Sequence, residues 1–157
     1  SAQQMLDISL EKFDKQDIII FSAAVSDYKP IIIHNKKIKK KSDDLNLSLN
    51  KTVDILNTLG QRKKNQVLLG FALETDNEID NAKKKLKEKN LDAIILNSLN
   101  DEGAGFGFDT NKITIIDNKL NIKKYPLMSK KELSKIIVKH ATNLFYERFD
   151  VKNKSVK

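Results

Sequence analysis

The side chains best equipped for chemistry in this sequence are charged groups that follow short apolar runs. Asp27 stands in the stretch AAVSDYKP, just after the isoleucine-rich run DIIIFSAA, and Lys37 stands in a lysine cluster ten residues on. Lys85 and Lys89 lie one helical turn apart further along. A polyphosphate carries several charges, so a site for one needs several cations, often with Mg2+, to offset repulsion and leaving-group charge. Lys37, Lys85 and Lys89 are suited to supply them.

Each of these residues also has a plainer use. An aspartate after a strand ordinarily caps a turn or a helix. Lysines on a hairpin guard an edge against aggregation, and Lys85 and Lys89 fit the wet side of an amphipathic helix. Other chemistries find no support. The chain has no cysteine, which removes disulfides, thiolate metal sites and Cys nucleophiles and fits a reducing, cytoplasmic setting. His34 and His140 are far apart, with no H-E-x-x-H spacing and no elbow serine. Gly103, Gly105 and Gly107 imitate a dinucleotide fingerprint, but Phe108-Asp109-Thr110-Asn111 and an expected strand follow them. Without a helix N-terminus the phosphate argument lapses.

The elements that must carry these groups alternate. A helix is expected over 2–13, then a buried strand over 17–24. Lys37, Lys39 and Lys41 alternate with Ile38 and Lys40, Ser42-Asp43-Asp44 turns, and Leu45, Leu47 and Leu49 return, which predicts a lysine-studded hairpin. A brief helix over 54–60 should end at Gly60. The run VLLGFA, 67–72, is a second buried strand whose Gly70 marks close approach by a backbone or a ligand. A helix over about 77–89 carries Ile79, Ala82 and Leu86, and 93–96 is a third apolar strand. An edge hairpin is expected around Asp117-Asn118-Lys119. Ser129, with Glu132 three places on, caps a last helix, and the tail 151–157 is expected to be disordered.

Strands alternating with helices predict an α/β fold: a Rossmann-like three-layer sandwich with a mostly parallel sheet and a protruding lysine-rich hairpin. Ligands of such sheets gather beyond the carboxyl ends of the strands, here 23–27, 70–72 and Asn97-Ser98. A chain of 157 residues buries about 70% of its unfolded surface, enough for one domain. No apolar run approaches the ~20 residues of a membrane span. The net charge of +8 attracts polyanions. However, Arg62 and Arg148 are the only arginines and no aromatic interleaves with the lysines, which argues against nucleic acid. A non-catalytic basic phosphate- or nucleic-acid-binding module is the alternative reading.

The ordered set AAVSDY, K-I-K-K, T-V-D-I, GFALET, A-K-K-K-L-K-E-K-N-L-D and GFGFDTN resembles the phosphopantothenate cysteine ligases of coenzyme A biosynthesis, over nearly the whole chain. That resemblance implies a homodimer and a two-step reaction. 4'-Phosphopantothenate couples to CTP, releasing pyrophosphate and leaving an acyl-cytidylate; the amine of cysteine then displaces CMP. By the same resemblance Asp27 lies at the nucleotide and its Mg2+, and Lys37 is the catalytic lysine. Ala23 and Ala24 shape the floor. Thr52, Val53, Asp54 and Ile55 form a nucleotide-contacting turn, although family members commonly show N-P-D-I there. Phe71 packs on the base, Lys85 and Lys89 reach the triphosphate, and Asn97 is the substrate-binding asparagine of the third strand tip.

Family members also carry, before the point matching Ser1, a strand, a glycine-rich turn and a serine-asparagine segment. Residues 1–150 are therefore expected to be the carboxyl-terminal part of the ligase domain, with little or no turnover alone. FMN is implied only for a decarboxylase domain fused upstream. No nucleic acid and no membrane partner is expected.

Overall fold

Two apolar runs with almost no polar interruption sit side by side at the centre of the molecule. They are β4 (Val67–Glu74) and β5 (Ala93–Ser98), in which Val67, Leu68, Leu69, Ala93 and Ile95 are wholly buried. Such runs are what a parallel strand covered on both faces requires. The computed structural model describes residues 1–39, 45–98, 100–101, 103–105 and 107–154, the last six as helix backbone.

Around this pair the chain orders α1 (Ala2–Phe13), β1 (Ile18–Phe21), β2 (Tyr28–Pro30), β3 (Leu49–Lys51) and α2 (Ile55–Arg62) before β4. After it come α3 (Glu78–Glu88), β5, β6 (Thr110–Asp117), β7 (Ile122–Ser129) and α4 (Lys130–Lys154). The main sheet runs β1-β4-β5-β6-β7. β1, β4 and β5 are parallel, and the β6–β7 hairpin extends them antiparallel. Leu68, Ile94 and Leu96 pack with Leu6 and Phe13 of α1, Leu56 and Leu59 of α2 and Leu86 of α3. Leu69, Ile95 and Ile115 pack instead with Leu133, Ile137 and Ala141 of α4. The three-layer α/β sandwich expected from the alternation is thus formed, and among the described residues no helix is long and apolar enough to cross a membrane.

The helix ends follow local chemistry. Ser1 and Gln4 close a capping box on α1, and Ser129 and Glu132 make the reciprocal pair at α4, with the Glu132 amide donating to Ser129 Oγ at 3.2 Å. Helix α4 continues through Lys154, so the first four residues of the expected disordered tail are helical; 155–157 lie outside the described residues.

Three expectations are corrected. Helix α2 does not stop at Gly60 but runs on to Arg62. A Cβ at Gly60 would lie 1.8 Å from the Lys89 carbonyl oxygen, so the glycine permits α2 to cross the end of α3. At Gly70 the close neighbours are side chains and not a backbone. Leu56 and Leu91 fill the space, and a Cβ there would meet Leu56 Cδ2 at 2.4 Å.

The third correction concerns the lysine hairpin. The paired rungs are Tyr28–Lys51, Lys29–Asn50 and Pro30–Leu49, nearer the body of the protein than expected. Lys37, Ile38 and Lys39 are exposed and irregular, and the expected turn at Ser42-Asp43-Asp44, with Lys40 and Lys41, lies outside the described residues. A two-stranded ribbon is marginal by itself, and among the described residues the pairing is confined to these three rungs at its base.

Candidate functional site

Beyond the carboxyl ends of β1, β4 and β5 lies a cavity of about 480 Å³, where an open α/β sheet is expected to bind ligands. Its construction starts at β1. After Phe21 the chain leaves the sheet through Ser22, Ala23 and Ala24, whose small side chains leave room above the strand ends. Asp27 follows at the rim, exposed and lining the same space.

The base of the β2–β3 ribbon is tied down at this point. The Thr52 amide donates to the Asp27 carbonyl at 2.9 Å and the Thr52 hydroxyl donates to the Ser26 carbonyl. Thr52, Val53, Asp54 and Ile55 therefore form one wall. Asp54 ends that wall as the N-cap of α2, accepting the Asn57 amide at 2.9 Å. The T-V-D-I sequence needs no proline to turn here, because the Thr52 side chain supplies the tie.

Strand β4 contributes half-buried Phe71, and α3 contributes two cations. Lys85 donates to Glu74 at 2.6 Å and Lys89 pairs with Asp54 at 2.9 Å. Burial disfavours the charged form of Asp54, but the Asn57 amide and the Lys89 ammonium outweigh it and hold the carboxyl below the usual range. Asn97, near the end of β5, completes the set. Eleven of the twelve expected site residues thus line one cavity.

Lys37 does not. It is exposed on the ribbon and is not part of the lining within a single chain.

Gly105, Asn111 and Lys130 also line the cavity and were not among the expected site residues. Gly103, Gly105 and Gly107 all take positive φ (73°, 94° and 81°), and strand β6 follows them, so the glycine string is no dinucleotide fingerprint. It is instead a loop laid against the cavity, with the Gly105 carbonyl accepting from Lys130 Nζ at 2.9 Å. Asn111 Nδ2 donates to Asn97 Oδ1 at 3.2 Å. The signal for Lys130 was its place immediately after the capping Ser129; that α4 begins beside the cavity depends on the β6–β7 pairing.

Among the described residues no three His, Cys, Asp or Glu side chains cluster to hold an ion by themselves. Magnesium bound alongside phosphates needs only one or two carboxylates, and Asp27 is the carboxylate that the rim offers. The arrangement presents Lys85, Lys89 and Lys130 around a small-residue floor with an aromatic wall, which suits an anionic ligand bearing a flat ring.

The profile of the DNA/pantothenate metabolism flavoprotein C-terminal domain family matches residues 1–144. The chain is 50% identical over 147 residues to a cysteine/cysteine sulfinic acid decarboxylase of an unknown prokaryotic organism, covering 93% of this chain and 41% of that protein. It is 44% identical over 134 residues to the coenzyme A biosynthesis bifunctional protein CoaBC of Bacillus subtilis, covering 85% of this chain and 33% of the relative. It therefore spans about a third to two-fifths of these relatives' length. The crystal structure of the C-terminal domain of a CoaBC protein superposes with a TM-score of 0.74 at 37% identity, over 94% of this chain and 66% of that one. With the sheet, the cavity and the motif residues in agreement, the chain belongs to the DNA/pantothenate metabolism flavoprotein C-terminal domain family.

Proposed function

We propose that this chain forms the nucleotide side of a ligase that joins 4'-phosphopantothenate to cysteine in coenzyme A biosynthesis. A carboxylate is a poor acyl donor. In this reading CTP activates it as an acyl-cytidylate with loss of pyrophosphate, and the cysteine amine then displaces CMP to form the amide. The observation that carries the reading is the convergence of Asp27, Phe71, Lys85, Lys89 and Asn97 on one cavity.

The roles follow from the chemistry of each group. Lys85 and Lys89 hold the triphosphate, exchanging their carboxylate partners for phosphate oxygens. Phe71 carries the base, and Ala23 and Ala24 leave room for the reacting carboxylate and the α-phosphate. Asp27 would hold Mg2+ together with the phosphates; the ion, when bound, offsets charge on the departing pyrophosphate.

Lys37 acts in a homodimer. Tyr28, Ile31, Ile32 and Ile33 of the ribbon are all more than half exposed, Ile33 at 82%. Such an apolar face favours pairing with a second copy, which gives Lys37 a route to the partner's cavity. The protein works in the cytoplasm, and the 157 residues alone give little or no turnover.

The test is release of CMP and pyrophosphate by the full-length protein supplied with 4'-phosphopantothenate, cysteine and CTP, beside the same assay on the 157-residue chain. Turnover by the former with almost none by the latter is expected. No CTP-dependent product from the full-length protein would overturn the assignment. Salt-sensitive binding of single-stranded nucleic acid, indifferent to CTP, would favour a non-catalytic module instead.

A further inference from the structure

Asn97 faces the cavity with an amide that has both a donor and an acceptor end, and the neighbouring residues decide which end the ligand meets. Asn111, at the start of β6, is buried at 9% exposure. Its Oδ1 accepts from the backbone amide of Lys112 at 2.9 Å. A backbone N–H only donates, so the oxygen of Asn111 must lie on that side and Nδ2 on the other. Nδ2 points to Asn97 at 3.2 Å, and an NH2 group also only donates, so Asn97 must offer Oδ1 in return. What remains for the cavity is Asn97 Nδ2, which has no protein acceptor among the described residues.

The backbone holds this relay in place. The Thr110 hydroxyl donates to the Gly103 carbonyl at 2.6 Å. The β6–β7 register shifts between Asn111, opposite Met128, and Ile113, opposite Tyr125, which puts a bulge in β7 around Pro126.

We infer that Asn111 is a positioning residue that fixes the Asn97 amide as a hydrogen-bond donor to an acceptor on the edge of a pyrimidine. The inference rests on the reading of the cavity as a nucleotide site. Cytosine N3 is an acceptor, whereas uracil N3 carries a hydrogen. Set against position 3 of the ring, a fixed donor at Asn97 selects cytosine over uracil, and reversing the amide should reverse the choice.

Asn111→Asp makes that reversal with nearly no change of shape. One carboxylate oxygen still accepts from Lys112, the other now accepts from Asn97 Nδ2, and Oδ1 of Asn97 turns to the ligand. In the full-length protein the ratio of kcat/KM for CTP over UTP should fall at least about tenfold, as expected for one specific base contact. The change should come through KM, with kcat for the better nucleotide within about threefold, because the relay acts on binding rather than on reacting atoms. Asn97→Asp, which presents an acceptor directly, should shift the ratio the same way and serves if Asn111→Asp fails to fold.

Wild-type turnover with CTP, together with an unchanged CTP/UTP ratio in both variants, would overturn the inference while leaving the nucleotide site standing. An equal loss with both nucleotides would reduce Asn111 to a structural role and overturn it as well. A wild-type protein that neither binds nor turns over either nucleotide would remove the underlying reading and this inference together.

Discussion

Lys85 Nζ sits 2.6 Å from Glu74 Oε1, so the α3 cation nearest the end of β4 pairs with a carboxylate beside the cavity. Glu74 is only 11% exposed and Lys85 is 43% exposed. The carboxylate is therefore the more buried partner and the ammonium the one open to solvent and to a ligand. Lys85→Ala should raise the KM for the nucleoside triphosphate at least about tenfold, the equivalent of about 1.4 kcal/mol. Glu74→Gln should change it less than about threefold if, as proposed, phosphate replaces the carboxylate in the complex. Steady-state kinetics on the two variants checks the contrast.

Asp54 does two jobs that substitution can separate. It caps α2 and it pairs with Lys89. Asp54→Asn keeps the cap and loses the charge, whereas Asp54→Ala loses both, so the alanine variant should be less stable by about 1 kcal/mol. Because the folded carboxyl is held below its usual range, its contribution is present above the unfolded carboxyl pKa of about 3.9 and is lost as the pH falls through the folded value. Urea denaturation from pH 6 down to pH 3 should show a steeper acid loss for wild type than for Asp54→Asn.

His140 behaves oppositely. Its Nε2 is buried without a hydrogen-bond partner. Burial pushes the imidazole below its ordinary value, helped by Lys123 and opposed by the carboxylates of Asp117 and Glu147. The unfolded chain takes up a proton near pH 6.5 that the folded chain resists, so stability contributed by neutral His140 is full above that pH and declines below it. Between pH 7.5 and 5.5 the wild-type Tm should drop by more than that of His140→Leu, and parallel curves would refute this assignment.

Asp92 anchors the opposite end of the sheet. At 1% exposure it accepts the Leu68 amide at 2.8 Å, pairs with Lys63 at 3.0 Å and binds Arg148 of α4. Asp92→Ala leaves Lys63 and Arg148 without their carboxylate and should cost about 3–5 kcal/mol in denaturant titration. Arg148→Ala should loosen α4 from the carbonyls of Asn65 and Gln66 and give a smaller loss, because Lys63 remains to pair Asp92.

Lys37 is exposed on the ribbon and makes no contribution to the core. Lys37→Ala should lower turnover at least about a hundredfold, the cost of removing a donor to developing charge, with the Tm unchanged. Activity near wild type would remove it from the catalytic machinery.

The local code of the sequence determined the elements and the chemistry of the strand tips. Apolar runs of the right length became β1, β4 and β5, the Ser129–Glu132 spacing started α4, and the small and charged residues after each strand fell around one cavity. They did so because adjacent parallel strands end side by side at one edge of the sheet, so the segments leaving them share one crevice. Register and distance were decided only by the tertiary structure. The lysine alternation after Lys37 predicted a strand, yet Lys37, Ile38 and Lys39 are irregular, and the stop read at Gly60 and the close approach of a backbone or ligand read at Gly70 became contacts with Lys89, Leu56 and Leu91. Asn111 met Asn97, and Lys130 met Gly105, through a β6–β7 pairing whose bulge no local pattern specifies. Hydrophobic periodicity fixes which face a residue takes; only the packed sheet fixes which residue stands opposite it.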